Sequence, residues 1–138
     1  GAPNVIPGTV VHTLDVRHEK DRVRNKALGD LLRTAQRIAD SRRLSVARET
    51  TQANDATPCS PVLSRRLAAS VAACGVSPLR LPSGAGHDGV TMAALTPIAM
   101  LFVRCRGGLS HHPDEFVAPK DLAVALEVTV DFLQRMGR

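Results

Sequence analysis

The chain has 138 residues, 43% of them apolar and 22% charged, an ordinary globular balance that allows one domain or parts of two. With three Phe and no Tyr or Trp, any core must be built from Ala, Val, Leu and Ile. Eighteen Lys and Arg against thirteen Asp and Glu give +5, but the basic residues are scattered and lack base-stacking aromatics, which argues against nucleic acid as a partner.

In chain order, a turn around Pro3 to Gly8 leads into Thr9 to Val16, which alternates with Val10, His12, Leu14 and Val16 on one face and Val11, Thr13 and Asp15 on the other. That period predicts a strand. From Asp21 to about Arg42, Leu28, Leu31, Leu32, Ala35, Ile38 and Ala39 fall on one helical face, and the basic residues Arg22 to Arg43 read as its solvated side. Leu44 to about Thr51 alternates again, completing a β-α-β unit whose strands need partners. The aperiodic stretch Gln52 to Ser60 marks a boundary, placed at 55/56.

Beyond it, Ser60 is an N-cap with Pro61 at the first helical position, Leu63, Leu67, Ala68 and Val71 form a face, and Gly75 is the stop. The glycine-rich loop Ser83 to Gly89 precedes a small Ala-rich helix near Val90 to Leu95. The apolar run Ile98 to Val103 predicts a buried strand, and Pro119 to Met136 a last helix with Leu122, Ala125, Leu126, Phe132 and Leu133 inward. The fold class is α/β, with helices packed on an open sheet. Neither half closes into a comfortable domain, so the chain reads as a fragment of a longer one.

Cys59, Cys74 and Cys105 are odd in number and in no metal-knuckle spacing, which fits a reducing compartment. No run approaches the roughly 18 apolar residues of a membrane span, and the N-terminus has no signal-peptide pattern. A cytosolic protein is expected.

Three places offer chemistry. The loop Gly107-Gly108-Leu109-Ser110-His111-His112-Pro113-Asp114-Glu115 follows the apolar run, where α/β proteins place ligands. Its histidines are either metal ligands, with Asp114 or Glu115 orienting an imidazole, or ordinary surface residues. Ser83 to Gly89 either cradles an anion on its backbone N–H groups or is a plain loop needing positive φ, with His87 and Asp88 as caps. Asn4 and Arg17 either hold a carboxylate, the Arg bidentately, or are structural.

Taken in order, Asn4-Val5-Ile6-Pro7-Gly8, Thr13-Leu14-Asp15-Val16-Arg17, Leu81-Pro82-Ser83-Gly84-Ala85-Gly86-His87-Asp88 and Gly107-Gly108-Leu109-Ser110-His111 resemble the hydantoinase/carbamoylase family of amidohydrolases, similar in fold to aminoacylases and zinc carboxypeptidases. The resemblance covers nearly the whole chain. It implies that residues 1–55 are the second half of a lid that also makes a homodimer, and that residues 56–138 are the returning C-terminal segment of an α/β catalytic domain. It assigns the substrate carboxylate to Asn4 and Arg17, the substrate's backbone-like end to Ala85 and Gly86, and the last metal-ligating imidazole to His111, with His112 a neighbour.

The implied activity is hydrolysis of the C–N bond of a linear amide, an N-carbamoyl-L-amino acid or allantoate, with two divalent metal ions (zinc, manganese, cobalt or nickel). The family's general base and its other metal ligands have no counterpart here, so no catalytic residue is expected in this segment, and the chain alone should be inactive without its N-terminal catalytic segment. His12, and Arg104-Cys105-Arg106 before the Gly-Gly turn, depart from the family's pattern and bear on substrate choice. The rival expectations are a non-catalytic dimerisation module and a peptidase or aminoacylase of the same superfamily.

Overall fold

The computed structural model describes residues 3–137. Among these the helices are α1 (Asp21–Ser41), α2 (Pro61–Ala73), α3 (Gly89–Met92) and α4 (Pro119–Met136), with a 3₁₀ turn at Arg106–Gly108. The chain divides into two compact units, Gly1–Ala56 and Thr57–Arg138.

In the first unit, α1 begins without a side-chain cap at Lys20, and Asp21 in the first turn supplies the negative charge that a helix N-terminus favours. The Asp21 carboxylate also accepts from the Ala56 backbone N–H at 3.1 and 3.3 Å and pairs with Arg24 at 3.1 Å. Arg24, whose side chain is only 16% exposed, reaches the Asn54 carbonyl and the Asp55 carboxylate. This cluster ties the start of α1 to residues 54–56. At the other end, the Leu44 N–H returns to the Ala39 carbonyl (2.9 Å) and the Arg43 N–H to that of Asp40 (3.1 Å), with Arg43 at φ 55°. That is a Schellman ending whose left-handed position is filled by an arginine, not a glycine.

In the second unit, Ser60 caps α2 by accepting from the Leu63 N–H at 3.3 Å, and its own N–H donates to the Ile98 carbonyl at 2.8 Å. Gly75, at φ 74°, ends the helix as expected: the Val76 N–H bonds the Val71 carbonyl and the Gly75 N–H that of Ala72. Helices α2 and α4 pack together. Val128 on α4 is 2% exposed and Ser70 on α2 is fully buried, with no partner for its hydroxyl.

Three sequence expectations need correction. Residues 9–16, 44–51 and 98–103 have no strand pairing among the described residues, so the β-α-β unit and the third strand are not formed. A strand holds its shape through N–H and C=O partners on a neighbour. The backbone bonds found around the last run, Ser60 to Ile98 and Arg106 to Phe116 (both 2.8 Å), are single links and not a ladder. On α1 only Ala39 is buried, while Leu28 and Leu32 are half-buried and Leu31, Ala35 and Ile38 exposed, because little in that unit covers the apolar face. On α4 the inward residues are Val124, Ala125, Val128 and Phe132; Leu122, Leu126 and Leu133 are exposed with Val130 on a second apolar stripe.

Candidate functional site

The sequence-predicted residues fall in both units, Asn4 and Arg17 in the first and Ala85, Gly86 and His111 in the second. Asn4 lies exposed in the opening turn. Arg17 is held side-on by Asp15: its Nε donates to both carboxylate oxygens at 2.9 and 3.1 Å, and its Nη2 donates to Oδ2 at 2.6 Å. The hydrogen bond from Arg17 holds the Asp15 carboxyl below its ordinary 3.8, and the same bond raises Arg17. Both side chains remain more than half exposed, at 58% and 60%. The part played by Asp15 escaped the motif reading, although two residues spaced i, i+2 in an extended segment share a face.

The Ser83 to Gly89 loop is exposed apart from half-buried Gly89, and the Ser83 hydroxyl donates to the Ala85 carbonyl at 3.3 Å. Neither Gly84 nor Gly86 takes a left-handed φ, and a Cβ on either would stand in open space. The expectation of a loop that needs positive φ is therefore not met there. Gly89 is the constrained one: a Cβ would come within 3.2 Å of His87 Nδ1 and 3.4 Å of Ile98 Cδ1. At the start of α3, His87 Nδ1 accepts from the Gly89 N–H at 2.9 Å, whereas Asp88 makes no side-chain cap.

The Gly-Gly loop is closed on itself. Gly107 and Gly108 take φ 65° and 69°, the Cys105 thiol donates to the Leu109 carbonyl at 2.8 Å, and the Arg106 guanidinium lies 4.5 Å from the Phe116 ring centre. His111 itself has φ 57°, a region costly for most side chains. Its backbone N–H donates to Glu115 Oε2 at 2.8 Å, so Glu115 pins the backbone of His111, whereas the sequence reading had Glu115 or Asp114 orient the imidazole. His112 Nδ1 accepts from the Asp114 N–H at 3.2 Å, which commits that nitrogen locally.

Among the described residues no three of His, Cys, Asp and Glu stand close enough to hold a metal together. An exposed imidazole at His111 suits a single contributed ligand, and a catalytic zinc-type site needs about three protein ligands, so the donors present do not make a metal site by themselves. Two shallow grooves occur elsewhere, one of about 620 Å³ beside α1 at Arg33, Arg37 and Arg48, the other of about 390 Å³ at Arg104, Arg106 and Lys120. Neither is lined by Asn4, Arg17, Ala85, Gly86 or His111. Among the described residues no helix is long and apolar enough to cross a membrane.

Comparison with known proteins adds the family. The chain is 41% identical over 97% of its length to a probable allantoate deiminase of Oryza sativa subsp. japonica. It is 38% identical over 93% to an N-carbamoyl-L-amino acid amidohydrolase of Geobacillus stearothermophilus, and 28% identical over 97% to an allantoate amidohydrolase of Bacillus subtilis. It spans 30–32% of the length of these relatives. The description "Peptidase family M20/M25/M40" matches residues 4–135, and it carries an α/β, peptidase-like fold. With nearly every residue inside that match, the four motifs included, the chain belongs to peptidase family M20/M25/M40.

Proposed function

We propose that the complete protein is a metal-dependent hydrolase of the C–N bond of linear amides, taking N-carbamoyl-L-amino acids or allantoate, and that this chain is its C-terminal part. The observation that carries the reading is the agreement of relatives named for allantoate and for N-carbamoyl-amino-acid hydrolysis, at up to 41% identity over nearly the whole chain. Both substrates are acyclic amides that also bear a carboxylate.

In this reading Arg17 takes the substrate carboxylate on its guanidinium fork and Asn4 adds an amide donor. Ala85 and Gly86 receive the substrate's backbone-like end. The open space at Gly86, in a loop with no conformational demand for glycine, supports a role in close approach. His111 contributes one neutral imidazole to a pair of divalent ions whose other ligands lie in the rest of the protein. The backbone of His111, held at φ 57° by Glu115, supports this, since strained positions collect at functional sites. When bound, such metals polarise the amide carbonyl and activate water. The N-terminal portion supplies the general base, residues 1–55 belong to a lid that dimerises, and the working protein is a cytoplasmic homodimer.

The test is ammonia release by the full-length protein from allantoate and from N-carbamoyl-L-amino acids, beside hydrolysis of dipeptides. Turnover of the first two with little action on dipeptides is the expected result. Efficient dipeptide cleavage alone would make the protein a peptidase. Arg17→Ala is expected to raise KM, and unchanged KM would remove Arg17 from the site.

A further inference from the structure

We infer that Glu115 is a positioning residue for His111, holding its backbone in the left-handed conformation from which the imidazole serves a divalent metal ion. The inference deepens the proposed function and rests on its assignment of His111 to metal.

The loop is built in two steps. Its base is closed by the Arg106 N–H, which donates to the Phe116 carbonyl at 2.8 Å, with the Arg106 guanidinium over the Phe116 ring. Inside it, the Glu115 N–H donates to the His112 carbonyl at 2.9 Å, a β-turn over residues 112–115 in which Pro113 takes the place that suits its fixed φ. That turn brings the Glu115 side chain back beside His111, where Oε2 accepts from the backbone N–H at 2.8 Å. Among the described residues the only other non-glycine with a left-handed φ is Arg43, which takes it as part of the ending of α1. His111, at φ 57°, ends no helix, and the loop's other left-handed positions are filled by Gly107 and Gly108. Glycine would suit the backbone at His111 too, so a side chain is kept there against a conformational cost, which the hydrogen bond to a carboxylate offsets. The backbone conformation sets the direction in which the Cα–Cβ bond leaves the chain. A ligand fixed in this way gives up less freedom when a metal binds. The neighbouring imidazole is committed within the loop, since His112 Nδ1 accepts from the Asp114 N–H at 3.2 Å.

The experiment measures the zinc affinity of the full-length protein, stripped of metal, by competition with a chromophoric chelator. Wild type, E115A, E115Q and H111A are compared, with the thermal unfolding midpoint of each metal-free protein. E115A is expected to weaken the affected zinc site about tenfold, the scale expected when a group supporting a metal ligand is removed. E115Q keeps an oxygen that can accept from the His111 N–H, so it should recover most of that loss. Residues 106–116 are exposed, so the metal-free midpoints should agree. Unchanged zinc affinity in E115A, with a loss in H111A, would overturn the positioning role alone. Equal losses in E115A and E115Q would also overturn it, because the charge of Glu115 and not its hydrogen bond would then matter. A weakened site in E115A that comes with a lowered metal-free midpoint would mark Glu115 as merely structural and equally overturn it. Full zinc affinity in H111A would instead sink the proposed function's use of His111, and the role of Glu115 with it.

Discussion

Replacing Ser70 with Ala removes a fully buried hydroxyl that has no hydrogen-bond partner, on the helix that packs against α4. Three contributions set the size of the effect. Relief of an unsatisfied buried hydroxyl is worth about 1–3 kcal/mol. Alanine's better helix propensity adds about 0.5 kcal/mol at an interior position. Against these stands a void about one oxygen atom in size, costing about 0.3 kcal/mol at ~24 cal/mol per Å³. The sum is a stabilisation of about 2 kcal/mol, dominated by the first contribution. Urea unfolding followed by circular dichroism should show a higher midpoint for S70A with an unchanged slope, because the surface exposed on unfolding is the same. A neutral or destabilised variant would refute the reasoning, by showing that the hydroxyl makes a bond in solution that offsets its burial.

The other expectations are smaller. Arg43→Gly should stabilise α1's ending by about 0.5–1 kcal/mol, because glycine takes the φ of 55° without strain; a lower midpoint would mean that the arginine side chain contributes more than its backbone costs. Gly75→Ala should cost about 1 kcal/mol in thermal unfolding, since its Cβ has room but its φ of 74° does not suit it. Asp15 and Asp30 both titrate below their ordinary 3.8, lowered by hydrogen bonds from Arg17 and from Lys26 respectively. Their contribution is therefore complete above that value and lost as pH falls through the lowered one, so D15N and D30N should each be slightly less stable than wild type at neutral pH and converge with it at low pH, which flattens the acid limb of the stability curve. An unaltered acid limb would contradict the sign.

How legible the fold was depends on where each element's partners lie. Helices α1, α2 and α4 satisfy most backbone groups internally and carry their own signals: the 3.6 period, Ser60 with Pro61, and Gly75. The expected strands around Val10, Val46 and Ile98 had the right period, but a strand is completed by a neighbour, and no such neighbour pairs with them among the described residues. The two-sided character of α4 was legible as apolar content and not as direction, since Leu122 and Val128 look alike in a sequence and only packing against α2 separates them. In the site, the motif residues were readable as types. What the sequence did not yield was who holds them: Asp15 on Arg17 and Glu115 on the backbone of His111 are contacts over two and four residues that hydrophobic periodicity does not encode.

The outer stripe of α4 has a practical consequence. Leu122, Leu126, Val130 and Leu133 recur at three- and four-residue intervals, so they form one continuous oily ridge along a helix whose opposite side already grips α2. Water in contact with that ridge makes the second unit sticky: produced separately, it should bind hydrophobic dyes and self-associate as concentration rises. Charged residues grafted along the ridge would keep it dispersed without disturbing Val128, which faces the other way.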